Sequence, residues 1–116
     1  MIPGEIILLR LPQPDLLPGK LRPALVLSEL PGPFGDVLVC GISSQLRHEV
    51  PRWDERLTPA EPDFTTSGLK VASVIRLTWL AAVNPSVSVG TLGTIVPERL
   101  SRLRQRLSTH LAQPSQ

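Results

Sequence analysis

The sequence predicts a mainly β domain, a small barrel or sandwich of short strands closed by one C-terminal α-helix. Three observations lead there. The apolar residues are mostly Leu, Val and Ile in short runs, 13 Pro and 8 Gly in 116 residues punctuate those runs, and only the last stretch repeats leucine at helical spacing. The length suits one domain, read here as 1–112, with 113–116 as a frayed tail.

Each element follows in order. Glu5-Ile6-Ile7-Leu8-Leu9-Arg10, after Pro3-Gly4, is apolar and partly β-branched and reads as the first strand. Leu11 to Leu21 carries Pro12, Pro14, Pro18 and Gly19, which neither a helix nor a central strand tolerates, so a long loop is expected. Arg22-Pro23 opens Ala24-Leu25-Val26-Leu27-Ser28, whose lack of alternation calls for cover on both faces. Pro31-Gly32-Pro33-Phe34-Gly35 turns into a third buried strand, Asp36 to Ser43. Ser44 to Ser67 is polar and irregular, with a short strand expected around Arg47 to Val50. Gly68-Leu69 leads into a strand over Lys70 to Arg76 that continues through Leu77 to Val83 with little break. Asn84-Pro85-Ser86 is a turn, and Val87 to Gly93 alternates with small residues as an edge or bent strand does.

The ending differs in kind. Leu100, Leu103, Leu107 and Leu111 make an apolar helical stripe, with Pro97 suited to a first turn and Glu98 to the N-terminal dipole. Arg99, Arg102 and Arg106 are expected on the opposite face. An isolated helix of this length is marginal, so the stripe must be buried against the barrel or a second subunit.

Composition excludes several classes. The lone Cys40 cannot form an internal disulfide and reads as a small buried hydrophobe, which points to a reducing cytosol. No run reaches the roughly 18 apolar residues of a membrane span. The start, Met1-Ile2-Pro3-Gly4-Glu5, lacks the basic lead-in of a secretory signal, so a soluble cytoplasmic protein is expected. A net charge of +2 does not by itself diagnose a polyanion partner. Only Lys20 and Lys70 of the twelve basic residues are lysines, and arginine suits bidentate phosphate recognition; a biased genome composition explains the same preference. There is no zinc-type Cys or His spacing, no glycine-rich phosphate loop and no G-x-S-x-G turn, so neither metal nor cofactor is expected. His48 and His110 lie far apart in the chain, and His110 suits a helix C-terminus, which leaves any catalysis to Arg, Ser, Thr, Asp or Glu.

Three constellations fit chemistry: Arg22-Pro23 at the mouth of the second strand, Ser43-Ser44-Gln45 at the end of the third, and Ser73-Val74-Ile75-Arg76 in the later strand. Strand ends at one rim of a small barrel lie close, so a fixed cation, hydroxyls and an amide can converge on one phosphate. Phosphodiester cleavage needs a proton acceptor, a donor for the leaving oxygen and positive charge at the transition state. Arg22 can supply the last. A hydroxyl such as Ser43 is a poor base, so it acts by hydrogen bonding or by proton relay with a charged neighbour. The blander readings are a solvated strand flank for Arg22 and an ordinary turn for Ser43 to Gln45.

The ordered set of motifs resembles the MazF/PemK family of toxin endoribonucleases from type II toxin–antitoxin systems. The matching pieces are Pro3-Gly4-Glu5-Ile6-Ile7, Gly19 through Ser28, Val39-Cys40-Gly41-Ile42-Ser43-Ser44-Gln45, Gly68-Leu69-Lys70 through Arg76, and Val89-Gly90-Thr91-Leu92 before the leucine-striped helix. The resemblance implies an SH3-like barrel that forms a homodimer and cuts single-stranded RNA without metal. It also implies an antitoxin partner whose flexible C-terminal segment covers the RNA groove. By position, Arg22 looks like the family's catalytic arginine, Ser43 stands where a catalytic threonine is usual, and Arg76 matches an arginine that some members use. Thr78 stands where those members carry an acidic residue. The first loop, with Gln13, Asp15 and Lys20, is expected to border the RNA, as are Ser44 and Gln45. Trp53 is a candidate stacking platform or, alternatively, a half-buried cap. The rival functional readings are a catalytically inactive barrel that binds nucleic acid or a peptide, and a dimerisation module resting on the leucine stripe.

Overall fold

The computed structural model describes residues 1–10 and 20–114. Six strands form one antiparallel sheet: β1 (Glu5–Arg10), β2 (Leu21–Glu29), β3 (Val37–Ser43), β4 (Glu55–Leu57), β5 (Ser73–Val83) and β6 (Ser88–Thr94). Their order across the sheet is β4-β5-β3-β2-β1-β6. Among the described residues there are two α-helices, α1 (Phe64–Ser67) and α2 (Pro97–Ala112).

β4 and β6 do not pair, so hydrogen bonding does not close the barrel. Instead α1 packs against β6. The Thr66 hydroxyl donates to Thr94 O, and a Cβ on Gly93 would sit 2.0 Å from Thr66 O, so only glycine lets the two backbones meet.

Strand alternation sorts the apolar residues into two cores. Ile6, Leu25, Leu27, Cys40, Ile42, Leu57, Ile75 and Leu77 face α2 and pack with its Leu103 and Leu107. Ile7, Leu9, Ala24, Val26, Val37 and Val39 form the second cluster, joined by Trp79, Ala81 and Val83. This is why β1 to β3 lack an apolar/polar alternation: both faces are covered. On β5, odd-numbered residues belong to one core before the middle of the strand and to the other after it. The register explains the switch. Cys40 pairs with Leu80 but Gly41 with Arg76, so residues 77–79 are an insertion of three, and an odd insertion turns all later side chains to the opposite face.

The structure corrects three expectations. Arg47 to Val50 is not a strand; Leu46–His48 is a 3-10 turn, and the short strand lies later, at β4. Val50 has its backbone groups committed locally, its N–H to the Asp54 carboxylate at 2.9 Å and its carbonyl to the N–H groups of Trp53 and Asp54, which leaves nothing for a ladder. The strand expected from Lys70 begins at Ser73. On α2, Arg99 is not opposite the leucines. It stands four residues before Leu103 and eight before Leu107, so helical geometry puts it on the same buried face, 5% exposed, whereas Leu111 is 70% exposed.

Arg99 is tolerated there because acids meet it. Its Nε and Nη2 donate to the two oxygens of the buried Asp63, at 2.8 and 3.1 Å, and its Nη1 to Glu55 at 2.8 Å. Glu55 also accepts from Arg102 and Arg106. Burial works to raise the Glu55 and Asp63 carboxyls. For Glu55 the hydrogen bonds and charges of Arg102 and Arg106 outweigh it; for Asp63 the Arg99 hydrogen bond, the Val96 N–H and the Arg99 charge do. Both sit below the usual carboxylate range. Among the described residues no helix is long and apolar enough to cross a membrane.

Candidate active site

The alternation that builds the second core also builds a cleft. On β2, Arg22 follows Ala24 and Val26 at every second residue; on β3, Gly41 and Ser43 continue from Val37 and Val39. Ala24 pairs with Gly41, so the same register carried two residues on sets Arg22 opposite Ser43. Gly41 pairs in turn with Arg76 on β5. Three adjacent strands thus aim Arg22, Ser43 and Arg76 into one cleft of about 260 Å³.

The β5 insertion shapes its wall. Trp79 lies over Gly41, where a Cβ would come within 3.2 Å of the indole Cε3. The buried Asp54 holds the insertion, one carboxylate oxygen accepting from Thr78 N and the other from Val50 N, with the Thr78 hydroxyl 3.3 Å from both. A carboxylate therefore stands beside Thr78, although it comes from another segment.

The 3-10 turn adds a residue that sequence reasoning set aside. His48 lines the cleft, and its Nδ1 lies 2.8 Å from Ser43 Oγ, which also accepts the Gln45 N–H at 3.1 Å. The available signal was the absence of strand alternation over Gln45 to Glu49, which lets a tight turn fold residue 48 back on residue 43.

Among the described residues the lining contains no carboxylate, and neither Arg22 nor Arg76 has an acid within ion-pair distance. Arg76 Nε is buried with no hydrogen-bond partner. Arg56, Arg99, Arg102 and Arg106, by contrast, are all paired with acids. No three His, Cys, Asp or Glu side chains gather into a metal-binding group among the described residues. Cys40 is no nucleophile: burial first, and the Asp54 charge second, push its thiol up to about 12.

Of the other sequence candidates, Ser44 and Gln45 are exposed just beyond β3, and Lys20 is exposed two residues before Arg22. Gln13 and Asp15 lie outside the described residues. Trp53 is not in the cleft. It packs half-buried on the helix-side core, edge-on to His110 with ring centroids 4.8 Å apart.

Two guanidinium groups without an acid partner, an imidazole and a hydroxyl, in a cleft with no carboxylate among its described lining residues, define a small β domain suited to anionic groups. The family model of PemK-like, MazF-like toxins of type II toxin–antitoxin systems matches residues 2–111, and the chain belongs to that family. Among solved structures it is similar to the Mycobacterium tuberculosis toxin MazF-mt6, with a TM-score of 0.66 and 17% identity over 96% of this chain and 99% of that one. It is also similar to an endoribonuclease in complex with its cognate antitoxin from a mycobacterial species, with a TM-score of 0.66 and 14% identity over 100% of this chain and 99% of that one. No curated protein matches. At such identities the likeness establishes the fold.

Proposed function

We propose that this toxin is a metal-independent endoribonuclease that cuts single-stranded mRNA at short sequences in the cytoplasm. The carrying observation is the convergence of Arg22, Ser43 and Arg76, from three neighbouring strands, on a cleft whose described lining residues include no carboxylate. With an RNA phosphate seated there, the two guanidiniums donate to its non-bridging oxygens and offset the negative charge that grows as the ribose 2′-oxygen attacks. The Ser43 hydroxyl stands beside them for proton traffic. The products are a 2′,3′-cyclic phosphate and a 5′-hydroxyl. The reading includes a homodimer, and an antitoxin whose flexible C-terminal segment covers the cleft; the named antitoxin complex of a structural relative supports that partner.

Incubation with single-stranded RNA and a chelator should yield fragments ending in the cyclic phosphate. Arg22→Ala should slow cleavage by about a hundredfold or more while leaving the fold intact. RNA left whole beside an active control enzyme, or cutting that stops on adding chelator, contradicts the proposal.

A further inference from the structure

We infer that His48 is the proton acceptor of the cleavage step, acting through the Ser43 hydroxyl. The inference rests on the nuclease reading and supplies what that reading lacks. A serine hydroxyl alone does not take a proton at neutral pH, and the cleft-lining arginines stay protonated. The one other titratable side chain among the described lining residues is His48. Its Nδ1 is 2.8 Å from Ser43 Oγ. Gln45 N–H donates to that oxygen, and the hydroxyl's own hydrogen is available to Nδ1. We assign the neutral ring the tautomer with hydrogen on Nε2, so that Nδ1 accepts.

The step balances. The 2′-oxygen bonds to phosphorus as its proton passes to Ser43 Oγ, and the Ser43 proton passes to His48 Nδ1. The bond from phosphorus to the 5′-oxygen breaks with its electron pair on that oxygen, which takes a proton from water. The imidazolium returns its proton to the hydroxide so formed. Among the described residues, the charged groups around His48 are Arg22 from β2 and Arg76 from β5 in the cleft, and Arg47 and Glu49 beside it in the chain, the latter paired with Arg56. Asp54 faces Val50 and Thr78.

The test is the pH dependence of single-turnover RNA cleavage by the wild type, His48→Gln and Ser43→Ala, with binding of an uncleavable 2′-deoxy oligonucleotide measured alongside. Wild-type cleavage should rise from acid towards neutral pH, because only an uncharged imidazole ring can accept a proton. His48→Gln should cut about a hundredfold or more slowly, lose that rise, and bind the analogue within about threefold of wild type. Ser43→Ala, which removes the relay hydroxyl but keeps the His48 imidazole, should also lose the rise, and the double variant should be no slower than either single one. An active wild type whose rise survives in His48→Gln, or in Ser43→Ala should His48→Gln fail to fold, overturns this assignment alone. A wild type that binds the analogue but never cuts RNA overturns the nuclease reading and takes the assignment with it.

Discussion

Replacing Arg99 by Met should be the most damaging single change outside the cleft. The guanidinium is 5% exposed and faces Asp63, which is wholly buried. Without Arg99 that carboxylate keeps backbone N–H groups, those of Val96 and of Asp63 itself, but no opposite charge, while Glu55 still has Arg102 and Arg106. Leaving one charge of a buried pair uncompensated costs about 3–5 kcal/mol, a large share of the roughly 5–15 kcal/mol that holds a domain together. At roughly 4 °C per kcal/mol for a chain of this size, the melting temperature should fall by roughly 12–20 °C. Arg56→Ala is the control. Its pair with Glu49 is half in solvent and should cost about 1 kcal/mol or less. Urea unfolding at pH 7 measures both, and an Arg99→Met loss no larger than that of Arg56→Ala would refute the argument. The effect should also shrink in acid. Glu55 and Asp63 titrate below their ordinary values of 4.5 and 3.8, so their stabilisation is complete above those values and is lost as pH falls through the lower folded-state ones. In the variant, protonating the stranded Asp63 relieves the penalty, so the two stability curves should converge below about pH 4.

Three further outcomes follow from particular contacts. Gly93→Ala places a Cβ 2.0 Å from the Thr66 carbonyl oxygen and should cost at or above the top of the roughly 1–3 kcal/mol range for overpacking, read by denaturant unfolding. Asp54→Asn can accept only one of the Val50 and Thr78 N–H groups well, so it should destabilise by about 1–3 kcal/mol and alter Trp79 fluorescence, since residue 79 belongs to the insertion that Asp54 holds. Cys40, with its thiol pushed up to about 12, should resist iodoacetamide at pH 8 in the folded protein and react fully in denaturant; labelling without denaturant would show that the buried site opens.

Much of the scaffold was legible because its signals are local. β1, β2 and β3 announced themselves as β-branched runs between Pro and Gly, and α2 as leucines at helical spacing. Arg22 and Ser43 could be paired because each sits at the end of such a run. What escaped depends on partners distant in the chain. The three-residue insertion in β5 leaves no mark on a strand already apolar on both faces, yet it brings Trp79 to the cleft. Arg99 looked solvent-facing until Glu55 and Asp63 arrived from more than 30 residues away. His48 stands far from His110 in the chain and joins the cleft only because a turn, rather than the expected strand, folds it onto Ser43.

The central claim is that Arg22 and Ser43 act on one and the same phosphate, and a double-mutant cycle on RNA cleavage rates tests it most directly. Arg22→Lys and Ser43→Ala should each slow cleavage, and the double variant should be clearly less impaired than the product of the two effects, as for groups that work as a unit. Rate losses that simply multiply would mean the two side chains act independently and would contradict the account.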